Sequence, residues 1–375
     1  MSAELIHADT LYDGSGAPPR RNCLIEIADG RIRDISTGAA PKGARRVEIA
    51  APGFIDLQIN GAADVQFNDD PSADAVARVA EGAQKGGAAY VLPTFITAEG
   101  DAWHAAVEAV RGALASGAPG VLGLHLEGPF LSPKRPGIHP AAAIRPATEA
   151  DLSRLTAAGI PLLLTLAPEE QAPDTVRRLT NAGVVVFAGH SAATATELDA
   201  AANEGLRGVT HLWNAMPPPQ GRAPGIVGRT LTHPHLFAGI IADGFHVDPL
   251  NLALSARMMP DRLFLVTDAM RTFAGAQPGF DLLGTPVLLK DGRLTGPDGT
   301  LAGAHLGMDQ AVRFMVRAAG VAPETAIAMA TATPARVMRL DGELGRVAPG
   351  YRASFTFLDA GLHAKGGLVD GMVFG

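Results

Sequence analysis

Short apolar runs alternate with Ala-rich stretches through the middle of the chain. Each run is followed by Gly, Pro or a polar residue, which is typical of buried strands. Alternation of such strands with helical stretches predicts parallel βαβ units. The predicted strands are 53–60, 88–95, 121–127, 161–167, 184–189, 207–212, 237–242 and 262–268. Helices are predicted near 71–86, 101–116, 149–158, 171–182, 194–204, 248–258 and 307–319.

This order of elements predicts an α/β protein with a (β/α)8 TIM barrel over residues 52–345. An open, doubly wound sheet is the alternative. Polar residues at the ends of many strands favour the barrel, because an open sheet would gather them at one switch point. An inserted β-hairpin is predicted near 280–303, after the eighth strand, and helices are expected again over 307–340.

The two ends of the chain have a strand-like pattern instead. Leu24–Ile27 and Arg31–Ile35 alternate apolar and polar side chains on either side of an Asp-Gly pair, which indicates a hairpin. Each terminal segment is too small to fold alone. We therefore expect residues 1–51 and 346–375 to form one small β-sandwich domain.

The composition and charge argue against a nucleic-acid-binding protein and a membrane protein. Of the 375 residues, 47% are hydrophobic, and the 38 acidic and 31 basic side chains give a net charge of −7, which argues against a nucleic-acid surface. No apolar run approaches membrane-spanning length, and no signal peptide is recognisable. The single cysteine, Cys23, excludes an intramolecular disulfide and is interpreted as a buried apolar residue. We expect a cytoplasmic protein that binds neither nucleic acid nor membranes.

Three of the predicted strands end on side chains that commonly bind metals. Glu127 ends one apolar run, where a carboxylate is costly to bury without a partner. His190 and His211 end two later runs. Taken singly, either histidine could be hydrogen-bonded rather than metal-bound, and Glu127 could be a helix cap or a salt-bridge partner. Their convergence on one face of a barrel favours a catalytic divalent ion with open coordination positions.

Two further strands end on polar side chains. Asp268 ends the eighth strand and is the candidate general acid–base, although a helix N-cap is the alternative. Gln58 and Asn60 end the first strand at alternate positions, so their side chains face the same way. Neutral amides are weak metal ligands, and these two are candidates for orienting a metal-associated water or the substrate.

The loops on the same rim supply further candidates. His139 lies in the loop after the third strand, and His246 follows the seventh. Arg222 lies in a Gly- and Pro-rich loop after the sixth strand and could pair with a phosphate or carboxylate. A solvated surface arginine is the alternative. His125, within the third strand, is interpreted as packing.

These stretches together resemble the amidohydrolase superfamily, and within it the N-acetylglucosamine-6-phosphate deacetylases. The resemblance covers nearly the whole chain, and its most specific parts are Leu-Glu-Gly-Pro and Asn-Ala-Met-Pro. The matching stretches are 52–56, 124–129, 188–191, 210–217, 243–246, 266–269 and 301–303.

The resemblance implies a hydrolase of amino-sugar catabolism that removes the acetyl group from N-acetylglucosamine 6-phosphate. It implies that Glu127, His190 and His211 bind one divalent metal per subunit and that Asp268 is catalytic. Zinc is the first expectation, and iron, manganese and cobalt also accept this ligand set. A homodimer is implied, with His139 and Arg222 lent to the neighbouring subunit. The implied substrate contacts are Ile138, His139, Asn214, Ala215, Arg222, His246, Leu301, Ala302 and Gly303.

Several alternatives stay open. Many amidohydrolases carry His-x-His at the end of the first strand and hold two metals, whereas Gln58 and Asn60 stand there in this chain and favour one metal. Nothing in the sequence identifies the stereochemistry of the sugar, so N-acetylgalactosamine 6-phosphate or an N-acylated amino acid is an alternative substrate. A non-catalytic barrel scaffold is disfavoured by the presence of Asp268 with all three ligands.

Overall fold

The computed structural model describes residues 4–375, in which two sheets contain most of the strands. The strands are β1 (Glu4–Leu11), β2 (Arg20–Ala28), β3 (Arg31–Thr37), β4 (Arg45–Pro52), β5 (Phe54–Ile59), β6 (Gly61–Ala62), β7 (Val65–Gln66), β8 (Ala88–Ile96), β9 (Leu124–Glu127), β10 (Leu162–Leu166), β11 (Val185–Ala188), β12 (Gly208–Val209), β13 (Phe237–Ile241), β14 (Leu263–Val266), β15 (Gly279–Leu282), β16 (Thr285–Lys290), β17 (Arg293–Thr295), β18 (Phe355–Leu358), β19 (Ala364–Val369) and β20 (Met372–Phe374). The α-helices are α1 (Ala73–Gln84), α2 (Trp103–Ala115), α3 (Glu149–Thr156), α4 (Thr175–Asn181), α5 (Ala195–Asn203), α6 (Gly225–Thr232), α7 (Pro249–Met258), α8 (Met308–Arg317), α9 (Pro323–Ala330) and α10 (Ala332–Val337).

Eight parallel strands form a barrel in the order β5-β8-β9-β10-β11-β12-β13-β14. The barrel closes where β14 approaches β5. There the backbone N–H of Asp268 donates to the carbonyl of Gln58, and that of Asn60 donates to the carbonyl of Ala269, both at 2.8 Å. Nearly all residues of these strands are buried, as expected of parallel strands covered on both faces. The predicted (β/α)8 barrel is confirmed.

A separate sheet is built from both ends of the chain, in the order β20-β19-β18-β4-β1-β2-β3. Only β1 and β4 pair in parallel in this seven-stranded sheet. The predicted hairpin joins β2 to β3, and Asp29 and Gly30 both have positive φ, at 51° and 72°, as a tight hairpin turn requires. Ile25, Phe355 and Cys23 are fully buried in this sheet's own apolar cluster, so the interpretation of Cys23 as a packing residue is confirmed.

Two elements differ from the prediction. The insertion after the eighth strand is a three-stranded antiparallel sheet, β15-β16-β17, rather than a single hairpin. Helix α6 occupies a stretch predicted as loop. Its two glycines and two threonines have low helix propensity, but burial of Ile226, Val227 and Leu231 against the barrel outweighs that preference.

The N-terminus of α3 is fixed by one buried carboxylate. Asp151 receives hydrogen bonds from both terminal nitrogens of Arg145, at 2.6 and 2.9 Å, and from the backbone N–H of Thr148 at 2.7 Å. Burial by itself raises the pKa of Asp151, but these hydrogen bonds hold it at about 2. The carboxylate therefore stabilises the fold as an anion.

Asp151→Ala should lower the free energy of unfolding by about 2–3 kcal/mol at pH 7, because the backbone N–H of the N-cap residue Thr148 loses its acceptor and Arg145 loses its partner. A depressed carboxyl pKa gives stability that is present above the ordinary value and lost as pH falls through about 2. The difference from the wild type, measured by urea unfolding, should therefore shrink towards that pH. Asp101→Ala, which removes an exposed carboxylate 3.8 Å from Arg145, is the control and should cost much less.

Within residues 4–375, every helix is too short or too polar to cross a lipid bilayer.

Candidate active site

Three buried side chains meet at the carboxyl end of the barrel. The Nε2 atom of His211 lies 2.8 Å from Oε1 of Glu127, and that of His190 lies 3.2 Å from the same oxygen. The two Nε2 atoms are 3.1 Å apart. Imidazole nitrogens and a carboxylate oxygen that converge so closely can all bind one divalent ion. A bound ion would also explain why two buried ring nitrogens face each other.

The orientation of the His190 ring is fixed by a hydrogen bond on the side away from Glu127. Its Nδ1–H donates to the backbone carbonyl of Arg135 at 2.9 Å, so Nε2 carries the free lone pair that a metal requires. Gly137, with φ of 56°, lies against the same ring, and a Cβ at this position would come within 3.0 Å of Cε1 of His190. The loop after β9 therefore holds this imidazole in place.

The charges of the three groups are consistent with a site for a cation. Burial alone raises the pKa of Glu127, but hydrogen bonds from His190 and His211 hold it well below its usual range. Burial disfavours protonation of His211, but the neighbouring Glu127 carboxylate raises the pKa of this imidazole above its ordinary value. Without a metal, protons would thus occupy positions that a divalent ion can take.

Asp268 follows β14, faces this group, and is held by the amides of Gln58 in β5 and of Asn60 directly after it. Its Oδ1 accepts hydrogen bonds from Nδ2 of Asn60 at 2.7 Å and from Nε2 of Gln58 at 3.2 Å. The same Gln58 nitrogen donates to Oε2 of Glu127 at 3.1 Å. Burial, and then the Glu127 charge, raise the pKa of Asp268 to about 6. The two amides thus hold the carboxylates rather than add a second set of ligands.

A second buried carboxylate joins the strands that carry these groups. Asp56 accepts hydrogen bonds from the backbone N–H groups of Gln58 and Thr267, both at 3.2 Å, and from the Thr267 hydroxyl. Burial raises its pKa to about 7. These contacts fix β5 against β14 and set the distance between Asn60 and Asp268.

Several residues of the site have backbone conformations that side chains other than Gly rarely adopt. The φ angles are 47° at His190, 31° at His211, 50° at Ala215 and 50° at Asp268. Each costs on the order of 1–3 kcal/mol and clusters of them are typical of functional sites. The turns after the strands thus direct these groups inward at the expense of backbone strain.

A cavity of about 220 Å³ opens above the three converging side chains. It brings together most of the residues predicted from the sequence. Those in its lining are Asn60, Glu127, Ile138, His139, His190, His211, Asn214, Ala215, His246, Asp268, Leu301 and Gly303. Its other lining residues are Ile96, Gly137, Ile241, Met270 and Thr300, most of which make one wall apolar.

Four predicted residues are placed differently. Gln58 lies beneath the cavity, and Ala302 is fully buried in a small apolar cluster with Met270. His139 lies in the cavity of its own subunit, with its ring 4.3 Å from that of His190, rather than projecting towards a neighbour. Arg222 lines a separate surface pocket formed by residues 192–196 and 217–225.

Hydroxyl groups and a further histidine support the site from outside the cavity. Thr97 Oγ1 lies 2.9 Å from Nδ1 of His139. His125 is buried between the hydroxyls of Thr94 and Thr165, at 3.2 and 2.8 Å, which agrees with its interpretation as packing. Burial lowers the pKa of His125 to about 4, so it is neutral. The position of His125 two places before Glu127 on the same strand is the signal that could have indicated its supporting role.

Comparisons with known proteins identify the family. The sequence matches the amidohydrolase family over residues 49–373. It is 37% identical over 346 residues to N-acetylgalactosamine-6-phosphate deacetylase of Escherichia coli O157:H7, covering 91% of this chain and 92% of the other. It is 38% identical over 342 residues to human N-acetylglucosamine-6-phosphate deacetylase, covering 86% and 82%.

The fold agrees with these matches. The structure of N-acetylglucosamine-6-phosphate deacetylase from Pasteurella multocida superposes with a TM-score of 0.93 at 30% identity, over 98% of this chain and 99% of the other. The chain therefore belongs to the amidohydrolase family and is a hydrolytic enzyme with a buried Glu–His–His group that fits a metal.

Proposed function

We propose that this enzyme hydrolyses the acetamide of N-acetylglucosamine 6-phosphate to glucosamine 6-phosphate and acetate, as a cytoplasmic step of amino-sugar catabolism. The observation that carries the proposal is the joint placement of Asp268 and the Glu127–His190–His211 group in one cavity of about 220 Å³. The names of relatives that cover most of the chain support the substrate class.

The roles of the residues follow from their contacts. Glu127, His190 and His211 would hold one divalent metal, with zinc the first expectation, and the bound ion supplies Lewis-acid activation of a water and of the amide carbonyl. Asp268 takes the proton of the attacking water and returns it to the nitrogen of the leaving amine. His139 and His246 line the same cavity and are candidates to stabilise the oxyanion.

Gln58 and Asn60 support Asp268 in this scheme. Because both amides donate to Oδ1 of Asp268, its Oδ2 is the atom left to accept the proton of a water. Neither position offers a carboxylate or an imidazole. We therefore expect one metal ion per subunit, because the side chains at positions 58 and 60 do not supply ligands for a second ion.

Recognition of the phosphate requires a cation that the subunit's own cavity lacks. Among the described residues that line the cavity, none is Lys or Arg. Arg222 is exposed and lies outside that cavity. We infer that Arg222 of a neighbouring subunit binds the 6-phosphate, with the backbone at Asn214 and Ala215 closing the phosphate site.

A homodimer is supported by an apolar stripe on the outer face of α7. Leu250, Leu254 and Met258 are spaced four residues apart, so they lie on one side of the helix. Their exposed fractions are 79%, 43% and 42%, and Phe245, the residue before His246 of the cavity lining, is 41% exposed. Contiguous exposed apolar side chains of this kind mark association surfaces.

The galactosamine epimer is the second candidate substrate, because one relative of 37% identity acts on it according to its name. Acetate release should be measured on both epimeric 6-phosphates under identical conditions. A higher kcat/KM for the glucosamine epimer supports the primary proposal. A reversed preference would assign the enzyme to the galactosamine substrate without altering the proposed chemistry.

Arg222→Ala should lower kcat/KM for N-acetylglucosamine 6-phosphate by roughly ten- to a hundred-fold. This is the effect expected from the loss of a charge-assisted hydrogen bond that contributes about 1.5–3 kcal/mol. Hydrolysis of unphosphorylated N-acetylglucosamine should hardly change, because that sugar offers no anion. Arg33→Ala, on the terminal sheet, is the control. Equal losses on both substrates would contradict the phosphate role.

The position of Arg222 across the dimer is tested by mixing variants. Subunits with Arg222→Ala and subunits with Asp268→Asn are each defective, but a mixed dimer contains one site with both residues intact. Activity should therefore recover after subunit exchange. Absence of recovery despite proven exchange would place Arg222 in its own subunit's site.

A further inference from the structure

The barrel strand β10 supplies no side chain to the described lining of the cavity. It lies between β9, which ends on Glu127, and β11, which ends two residues before His190. Two adjacent carboxylates, Glu169 and Glu170, lie in a short 3-10 helix just after β10. Each accepts a hydrogen bond from the loop that follows one of the two neighbouring strands. The carboxyl end of β10 therefore joins the loops on either side of it.

Glu169 holds the turn after β11. Its Oε2 accepts the hydroxyl of Ser191 at 2.7 Å, and its Oε1 accepts the backbone N–H of Ala192 at 2.6 Å. Ser191 is fully buried and directly follows His190, whose φ of 47° is rare for residues other than glycine. The Ser191 hydroxyl also accepts the backbone N–H of Ala193 at 3.1 Å. One carboxylate thus fixes the two residues that follow the strained backbone of His190.

Glu170 holds the loop after β9 through Ser132. Its Oε1 accepts the hydroxyl of this fully buried serine at 2.7 Å. The backbone N–H of Ser132 donates to the carbonyl of His190 at 3.0 Å, and the Ser132 carbonyl accepts the N–H of Arg135 at 2.9 Å. The carbonyl of Arg135 in turn accepts the Nδ1–H of His190. The loop that Glu170 anchors therefore holds both the backbone and the ring of this histidine.

We propose that Glu169 and Glu170 are positioning residues that preorganise His190 for the metal ion. Glu169 fixes the turn that carries the histidine, and Glu170 fixes the loop that orients its ring. The presence of the metal rests on the function proposed above. A ligand that is already held in its binding geometry has less freedom to lose when the ion binds, and partners that hold metal ligands typically change metal affinity by about 10- to 100-fold.

The zinc affinity of the folded protein separates positioning from simple stabilisation of the fold. Glu169→Ala, and Ser132→Ala, which removes the donor to Glu170, should each weaken zinc binding by about ten-fold. The measurement is competition with a chromophoric zinc chelator, at a temperature at which circular dichroism shows that the zinc-free, full-length protein is folded. With zinc in excess, kcat should return to within a few-fold of the wild type, because the three ligands are unchanged.

Glu197 provides a matched control in the segment after β11. At the start of α5 it accepts the hydroxyl of Thr194 at 2.8 Å and the backbone N–H of the same residue at 2.7 Å. Glu169 likewise accepts one hydroxyl and one backbone N–H, but the contacts of Glu197 cap a helix. Glu197→Ala should therefore lower the unfolding temperature of the zinc-free protein and leave its zinc affinity unchanged.

Two further variants test whether the hydrogen bonds themselves are responsible. In Glu169→Gln the amide oxygen can accept the N–H of Ala192 while the NH2 group donates to the Ser191 hydroxyl, which can donate or accept, so much of the zinc affinity should return. Ser191→Ala combined with Glu169→Ala should bind zinc little more weakly than Glu169→Ala alone, because both changes remove the same hydrogen bond. If Glu169→Ala does not fold, Ser191→Ala and Ser132→Ala provide the same test by removing one hydroxyl each.

Unchanged zinc affinity in Glu169→Ala and Ser132→Ala, with a loss of stability alone, would overturn the proposal. An equal loss of zinc affinity in Glu197→Ala would overturn it as well. Failure of the proposed function has a different result. The wild type would then bind zinc and release no acetate from N-acetylglucosamine 6-phosphate, while the difference in zinc affinity between the wild type and the variants would remain.

Discussion

Asp268→Asn should lower kcat by roughly 10²–10⁴-fold, the usual contribution of a positioned acid–base group. The amides of Gln58 and Asn60 donate to Oδ1 of Asp268, so an Asn side chain must turn its carbonyl oxygen towards them. Its NH2 group then faces the cavity, where it cannot accept a proton from water. The shape of the site is kept while its base is removed.

Metal content and KM should stay close to those of the wild type, because the three converging ligands remain. The measurement is steady-state acetate release together with elemental analysis of the same preparation. Asp70→Asn, an exposed carboxylate after β7, controls for the loss of one negative charge. Turnover within a few-fold of the wild type would remove Asp268 from the mechanism.

Removal of the metal should abolish turnover, and one equivalent of zinc per subunit should restore it. Glu127 and the two histidines offer one set of ligands, and the amides at the end of β5 are already committed to Asp268 and Glu127. The metal-free protein should also unfold at a lower temperature, since an ion that binds only the folded state stabilises it by mass action. Glu127→Gln should reproduce both losses.

The measurement is activity during titration of the chelated protein with zinc, followed by elemental analysis. A break at one equivalent is expected. Recovery that requires two equivalents, with two ions retained per subunit, would contradict the single-metal site. Full activity in the chelated protein would contradict the role of the Glu127 group altogether.

The ends of the barrel strands could be predicted from the sequence, because an apolar run indicates a buried strand and the chain direction shows which of its ends is the carboxyl end. An apolar run that stops at His190 or Asp268 identifies a buried strand and places its last polar residue at the carboxyl edge of the sheet. Parallel strands share that edge, so residues distant in sequence can be expected to meet. The structure brings Glu127, His190 and His211 together at that edge, as expected.

The individual hydrogen bonds between those residues could not be predicted from the sequence. That the amide of Asn60 holds Asp268, rather than orienting a water alone, depends on how β14 closes against β5. The hydrogen bond from Nδ1 of His246 to the carboxylate of Asp243 depends on one turn, which the sequence shows only as Asp-Gly-Phe-His. Helix α6 was missed because its local propensity opposes the burial that stabilises it.

The central claim is that this cavity hydrolyses the acetamide of a 6-phosphorylated amino sugar. Its most direct test is the simultaneous measurement of acetate and glucosamine 6-phosphate formed from N-acetylglucosamine 6-phosphate by the purified, zinc-loaded protein, with unphosphorylated N-acetylglucosamine in parallel. We predict equimolar products and a kcat/KM at least about ten-fold higher for the phosphorylated sugar, as expected for a charge-assisted phosphate contact. No acetate from the phosphorylated sugar, or equal kcat/KM for the two substrates, would contradict the claim.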